Sequence, residues 1–552
     1  MLCFATSFSA SPVVAGNTPE RSSTGMVVSA NSGSSAVGVE VMRRGGNAID
    51  AAVAVAFSLA VTHPTAGNIG GGGFLVYQGS EGAPVAYDFR ETAPAASHPE
   101  MFLVDGEYSF DRHHLSHISV GVPGTVAGLH LAWQDGGSLP WAELLAPAIA
   151  QARDGILVTD GLARSLSRVL PRMESYPASI AKFTNDGEPL VAGQRWRQPE
   201  LAEALERIAA EGPDGFYKGK TAELIVAEMV RGGGIITHAD LEAYEAKRRT
   251  PVRGSYRGFE VLSMPPPSSG GTIIIQMLNI LEGYDLRASG FGAAATLHLM
   301  TEAMRRGYAD RARYLGDPDF VEMPLERLTS KVYAEELRRT INPERASVSS
   351  PDSFRWPAES PQTTHLSVVD KDRNAVSLTY TLEYSYGSGI VVPGGGFLLN
   401  NEMGDFNAGP GLTDSTGLIG TPANLAEPGK RMLSSMSPSI VNRDGEVFMV
   451  TGTPGGRTII NTVLQTILNV IDHEVSAQTA VDLGRIHHQW LPDVIYHEAQ
   501  GFSPDTLELL RQRGHVLQEI ENMGVAEVII VRDDGLEGGV DRRQADGGAV
   551  GY

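Results

Sequence analysis

Apolar and polar positions along this chain follow two periods in turn, and the changes between them mark out its elements. Ser35 to Arg44 and Ala48 to Thr62 read as paired helices broken at Gly45-Gly46. The second is almost wholly apolar and is therefore predicted to be buried. Amphipathic helices are predicted over Trp141–Asp154, Gln198–Glu211 and Thr221–Arg231, and another over Thr272–Leu281 after the loop Pro265 to Gly271. From Thr363 the period falls to two. Thr363 to Val369 reads as a strand, Asp370 to Asn374 as a turn, and Ala375 to Tyr384 alternates. Val376, Leu378, Tyr380 and Leu382 share one face; Ser377, Thr379, Thr381 and Glu383 share the other. If Val369 pairs with Ala375, Thr363 falls opposite Thr381, within side-chain contact, and Glu383 lies one step further along that face. A bulge in the turn would move the whole polar set to the other side. Taken alone, the segment reads as an ordinary edge hairpin in which Thr serves β-propensity.

A second junction follows. Val447 to Val450 reads as a strand reached through the Asp444-Gly445 turn, and a helix with Ile460, Val463, Leu464, Ile467, Leu468 and Ile471 on one face comes after Thr453-Pro454-Gly455-Gly456. Gly455 and Gly456 thus place bare backbone N–H groups at a helix N-terminus, which suits a developing oxyanion. As an isolated Gly-Gly, a tight turn is the plainer reading. The mixture suits helices layered on both sides of antiparallel strands, with no internal repeat. Ser350 to Gln362 is polar, carries Pro351, Pro357 and Pro361, and suits an exposed connector that can be cut.

Composition narrows the classes. Of 552 residues, 44 are Lys or Arg and 65 are Asp or Glu, a net charge of −21 that argues against nucleic acid and anionic membranes as partners. A hydrophobic fraction of 42% allows a sizeable core. The single Cys3 excludes an intramolecular disulfide and a Cys-based metal site. The longest apolar run, Ala51 to Val61, is too short to span a bilayer. The opening MLCFATSFSASPVVAG is mildly apolar but lacks a basic lead, so residues 1–24 read as a tail or the remnant of an export signal. His113-His114-Leu115-Ser116-His117 and His487-His488 have metal-ligand types without a completing carboxylate or Cys set, and read as structural. Gly70 to Gly73 follows a helix, not a strand, which argues against a dinucleotide loop.

The chemistry centres on Thr363. A Thr hydroxyl is a poor nucleophile unless its own α-amino group sits beside it as base. An internal Thr has no such amine, so a nucleophilic Thr363 requires scission of the Gln362–Thr363 bond. The segment from Thr363 to Phe406, together with GGNAIDAAVAVAFSLAVTHPTAGNIGGGGF (45–74), DFRETAP (88–94), VPGTVAGL (122–129), MPPPSSGG (264–271), LSSMSPSIV (433–441), GTPGGRTII (452–460) and HHQWLPD (487–493), resembles the γ-glutamyltransferases (γ-glutamyltranspeptidases) in motif and in order over nearly the whole chain.

That resemblance implies an α+β fold, the four-layer αββα sandwich of the N-terminal-nucleophile (Ntn) hydrolases. It implies a proenzyme cut into a large subunit, residues 25–362, and a small one, residues 363–552, forming one compact domain. It assigns Thr363 as nucleophile, Thr381 as its orienting partner and Gly455 and Gly456 as the oxyanion hole. A γ-glutamyl donor such as glutathione ends in a zwitterion. The implied acceptors for its ammonium are Glu383, Glu402 and Asp405; the implied donors to its carboxylate are Arg90, Ser434 and Ser435. Amino acids, dipeptides or water take the acyl group. No metal or other cofactor is implied, and location is periplasmic or secreted. Two positions vary against the family. Glu383 is Asn in some members, and Thr416, in the loop Asn407 to Gly429, stands where lidded members carry Tyr. A looser lid would favour hydrolysis over transfer. The rivals are an acylase of the same architecture acting on glutaryl side chains, whose substrate lacks the ammonium, and an uncleaved, inactive binding relative.

Overall fold

The computed structural model describes residues 18–349, 363–412 and 420–552. Two seven-stranded antiparallel sheets form its centre. One runs Lys247–Arg249, Val85–Phe89, Gly72–Gln78, Ala375–Thr381, Thr364–Val369, Met26–Ser29, Gly548–Gly551. The other runs Glu20–Ser22, Gly535–Val540, Glu527–Arg532, Glu446–Gly452, Ser439–Arg443, Phe259–Ser263, Val252–Tyr256. Helices cover both outer faces. The Ala48–Thr62, Trp141–Asp154 and Pro199–Glu211 helices share a core with Leu366, Val368, Val376, Leu378 and Tyr380. The Gly270–Leu281, Ala294–Tyr314 and Thr458–Ile471 helices pack on Val261, Val441 and Met449. This is an αββα sandwich. Segments before residue 349 and from residue 363 onward both contribute strands to each of the two sheets.

The Thr363 hairpin is central rather than at an edge. Its expected pairing is found: Val369 opposes Ala375 and Thr364 opposes Tyr380, an unbroken register that carries Thr363 to Thr381. Asp370 excludes the slip. Its carboxylate accepts the N–H groups of Asp372 and Asn374 at 2.9 and 3.0 Å, and Asn374 Nδ2 at 2.7 Å. The same carboxylate accepts Ala48 N–H at 3.0 Å, tying the turn to the start of the buried helix. That helix is capped by Asn47 and Asp50 and is apolar on every side because its whole circumference is packed.

Period-two polarity here does not mean solvent. Ser377 Oγ donates to Thr451 O at 3.0 Å and accepts Ser439 N–H at 3.0 Å, and His365 Nδ1 lies 2.7 Å from Thr379 Oγ1. The polar face is buried against the second sheet and pays its desolvation through hydrogen bonds. Residues 18–24 depart from the expected tail: Glu20–Ser22 pairs with Gly535–Val540 as an edge strand, and Thr24 N–H donates to Tyr552 O at 2.8 Å. The glycine run at 70–73 serves close backbone approach. A Cβ on Gly71 would stand 2.0 Å from Thr381 O, and one on Gly70 would stand 2.2 Å from Leu398 O.

Gly71→Ala should therefore displace the strand that carries Thr381 and destabilise the protein by about 1–3 kcal/mol. Thermal denaturation measures the loss, and a wild-type Tm in the variant would contradict the packing account.

Candidate active site

Thr363 precedes its strand directly, is 7% exposed, and donates to Thr381 Oγ1 at 3.4 Å. Thr381 Oγ1 also accepts Glu383 N–H at 2.9 Å, which fixes its rotamer toward Thr363. Catalytic contacts of this length commonly tighten when substrate binds. Gln362 lies outside the described residues, as do Cys3 and Thr416.

One small cavity brings together Arg90, Thr363, Thr381, Glu383, Glu402, Asp405, Ser434, Ser435 and Gly456. These are the residues expected from sequence, apart from Gly455. The space is about 20 Å³, room for roughly one water. Gly455 lines a larger cleft of about 510 Å³ that meets Thr363 from another side. Gly455 and Gly456 adopt φ of 139° and 54°, and their carbonyls accept the N–H groups of Thr458 and Ile459, closing the turn before the Thr458–Ile471 helix. The positive φ values explain why both positions are Gly.

Each side chain is held by its element. Arg90 follows the Val85–Phe89 strand, and its N–H donates to Asp88 Oδ1 at 3.1 Å. Glu402–Asp405 is a single 3-10 turn. It is anchored through Asn400, whose Nδ2 reaches Gly70 O and Gly121 O at 2.9 and 2.8 Å. Ser434 is pinned at its backbone, its carbonyl accepting Ser269 N–H at 2.8 Å. Ser435 Oγ accepts Arg311 Nη2 at 3.1 Å, which anchors its side chain.

The charges differ from the expected division of labour. Arg90 is fully buried and is ion-paired to Glu402 and Asp405, with Glu91 Oε2 at 3.6 Å. The residues expected to hold opposite ends of a zwitterion hold one another. Burial pushes Glu91 and Glu402 up to about 8, with Arg90 partly offsetting it. Both therefore keep a proton near neutrality, because one guanidinium cannot compensate three buried carboxylates. The carboxylate oxygens of Glu91 have no hydrogen-bond partner among the described residues.

Sequence reasoning missed two participants. Glu91 lies inside the DFRETAP motif, where no local pattern singles it out. His114, set aside as structural, places Nδ1 3.3 Å from Glu383 Oε1 across 269 residues of chain, a separation that hides it from any local pattern. The neighbouring His117 is structural as expected, with Nε2 2.8 Å from Glu228. His298, Glu302 and His515 bring ligating atoms within 4.8 Å of one another. Glu302 is committed to Arg306 at 2.7 Å and to Ser347 N–H at 3.0 Å, and His298 Nε2 to Asn342 O at 2.8 Å. This group holds helices together.

Two stacked antiparallel sheets under helical layers, with a Thr leading a central strand beside a glycine turn, define an Ntn-hydrolase. The Gamma-glutamyltranspeptidase family model matches residues 34–551, and the chain belongs to that family. It is 50% identical over 543 residues to the glutathione hydrolase proenzyme of Escherichia coli (strain K12), covering 97% of this chain and 93% of that one. Among solved structures, Helicobacter pylori γ-glutamyltranspeptidase aligns at 44% identity over 57% of this chain and 90% of its own, with a TM-score of 0.56. Cephalosporin acylase from Bacillus halodurans aligns at 27% identity over 100% of this chain and 99% of its own, with a TM-score of 0.86. The chain is an enzyme of this family.

Glu91 gives the site a pH signature. A carboxyl whose folded value rises from 4.5 to about 8 stabilises fully below 4.5, and that contribution is lost as pH rises through about 8. Glu91→Gln, which mimics the protonated acid, should flatten the fall of Tm across that window. Parallel Tm profiles for both proteins would contradict a retained proton on Glu91.

Proposed function

We propose that this protein is a γ-glutamyltransferase and glutathione hydrolase that matures by cutting itself between Gln362 and Thr363. The observation that carries this reading is the convergence of Thr363, Thr381, Gly456, Arg90 and three carboxylates on one cavity. In maturation, Thr363 Oγ1 attacks the Gln362 carbonyl carbon, the C–N bond breaks, and the amine takes the proton. Water then hydrolyses the ester, leaving chains 1–362 and 363–552 as an associated heterodimer.

In turnover, the freed α-amine of Thr363 accepts the hydroxyl proton while Oγ1 attacks the γ-glutamyl carbonyl. The oxyanion is met by the N–H groups of Gly455 and Gly456, and Thr381 orients the nucleophile. The leaving amine departs with the proton, and water or an amino acid or dipeptide amine resolves the ester.

Substrate recognition follows from the closed ion pairs. The substrate α-carboxylate takes the place of a protein carboxylate on Arg90, assisted by the hydroxyls of Ser434 and Ser435. The α-ammonium takes the carboxylates of Asp405 and Glu383, and the protonated Glu402 adds only a carbonyl oxygen as acceptor. One internal pair is exchanged for two ligand pairs, so the site pays little net desolvation when a zwitterion enters. A glutaryl group would displace a carboxylate and offer no cation in return. This favours γ-glutamyl donors over the acylase reading. By family resemblance the protein is periplasmic or secreted. No helix among the described residues is long and apolar enough to cross a membrane.

Thr363→Ala should remain one chain near 58.9 kDa on a denaturing gel, whereas the wild type shows two. Its turnover of a γ-glutamyl anilide should fall by about a million-fold, as for loss of a nucleophile elsewhere. A processed, active variant would contradict the assignment.

A further inference from the structure

The proposed donor site holds more acids than Arg90 can balance, and one of them, Glu383, lies against an imidazole instead. Glu383 is 5% exposed and sits at φ 74°, two residues past the strand that ends at Thr381. Its Oε1 is 3.3 Å from Nδ1 of His114, the last residue of the short Phe110–His114 helix. The imidazole is itself 3% exposed and lies flat on Tyr384, ring centroids 5.3 Å apart at 12°. Asn401 Nδ2 donates to His114 O at 3.2 Å, so the turn carrying Glu402 and Asp405 is tied to the same residue. Gly404 closes over the pair; a Cβ there would stand 2.3 Å from His114 Nδ1 and 2.6 Å from Glu383 Oε2.

The neighbouring histidine is held in one tautomer by its two partners. His113 Nε2 faces Met403 O at 3.2 Å and must donate; its Nδ1 faces the Tyr108 hydroxyl at 3.1 Å and accepts. His113 is thereby neutral. Burial, and then the positive charge of His114, hold it well below the ordinary imidazole range. Other charged and titratable groups also act on Glu383. Tyr108 and Tyr384 are both pushed up, by burial first and then by the Glu383 charge. Arg172 is committed to loop carbonyls, donating to Ser385 O and, at 3.1 Å, to Gly387 O. Asp405 across the cavity adds repulsion.

We propose that His114 is a positioning and specificity residue: its imidazolium keeps Glu383 ionised and aimed into the cavity, so that Glu383 can accept the α-ammonium of the donor. Without that cation, a buried carboxylate facing Asp405 takes up a proton, as Glu91 and Glu402 do, and ceases to select for an ammonium. The inference rests on the γ-glutamyl reading of the site and deepens it.

The test compares γ-glutamyl anilide with glutaryl anilide, which lacks only the α-ammonium. His114→Gln should raise KM for the γ-glutamyl compound about ten-fold, the scale of one charge-assisted contact. kcat should change little and the glutaryl compound should be unaffected, because the interaction is made equally in ground and transition states. In a Glu383→Gln background, His114→Gln should not alter the preference further. His114→Lys should restore part of it. Equal effects on both anilides, a fall confined to kcat, or an undiminished effect in the Glu383→Gln background would overturn the proposal. If His114→Gln alone fails to mature, the double variant leaves no uncompensated charge and should mature; a double variant equally unprocessed would also overturn it. Failure of the underlying reading looks different: the wild type itself would show no preference for the γ-glutamyl compound.

Discussion

The pairing of Thr364–Val369 with Ala375–Thr381, held in register by the Asp370 carboxylate, is the constraint on which the rest depends. It sets Thr363 against Thr381 and leaves Glu383 to leave the strand toward the cavity. Because the hairpin lies in the middle of its sheet, neither strand can slide without breaking ladders to Gly72–Gln78 and Met26–Ser29 as well. Asp370 also accepts Ala48 N–H, so the turn is tied to the helix layer as well as to the strand that Thr363 leads. The proposed self-cleavage and turnover would both rely on that anchoring, since each attack depends on near-contact geometry.

Charge is the second organising feature. Arg90, Glu91, Glu402 and Asp405 form a buried cluster with more acids than bases, and the excess is absorbed by retained protons on Glu91 and Glu402. Glu383 avoids that outcome through His114. The cavity is thus prepared for a ligand that brings both signs of charge. Specificity arises from what an unsuitable ligand would leave unpaired, more than from the contacts it would make.

Much of this was legible in the sequence, for identifiable reasons. The helices Ala48–Thr62 and Trp141–Asp154 follow from the spacing of their apolar positions. The Thr363–Thr381 opposition follows from counting outward from a five-residue turn. Glycines at 455 and 456 are explained by φ values that only the fold reveals. What stayed hidden is tertiary. Period two cannot say whether Ser377 and Thr379 face water or a second sheet. Nor can it say that the hairpin is central, because the flanking strands come from residues hundreds of positions away. Residues 20–22 look like tail until Gly535–Val540 supplies a partner. Arg90 is seized by Glu402 and Asp405, and His114 meets Glu383, only because remote loops converge on one cavity.

The most direct measurement of the central claim is intact and peptide mass spectrometry of the purified protein, before and during turnover of a slow γ-glutamyl ester. The account predicts two polypeptides, the smaller beginning at Thr363, with a transient γ-glutamyl adduct on that first residue. An active single chain of 552 residues, or an adduct located on any other side chain, would contradict it.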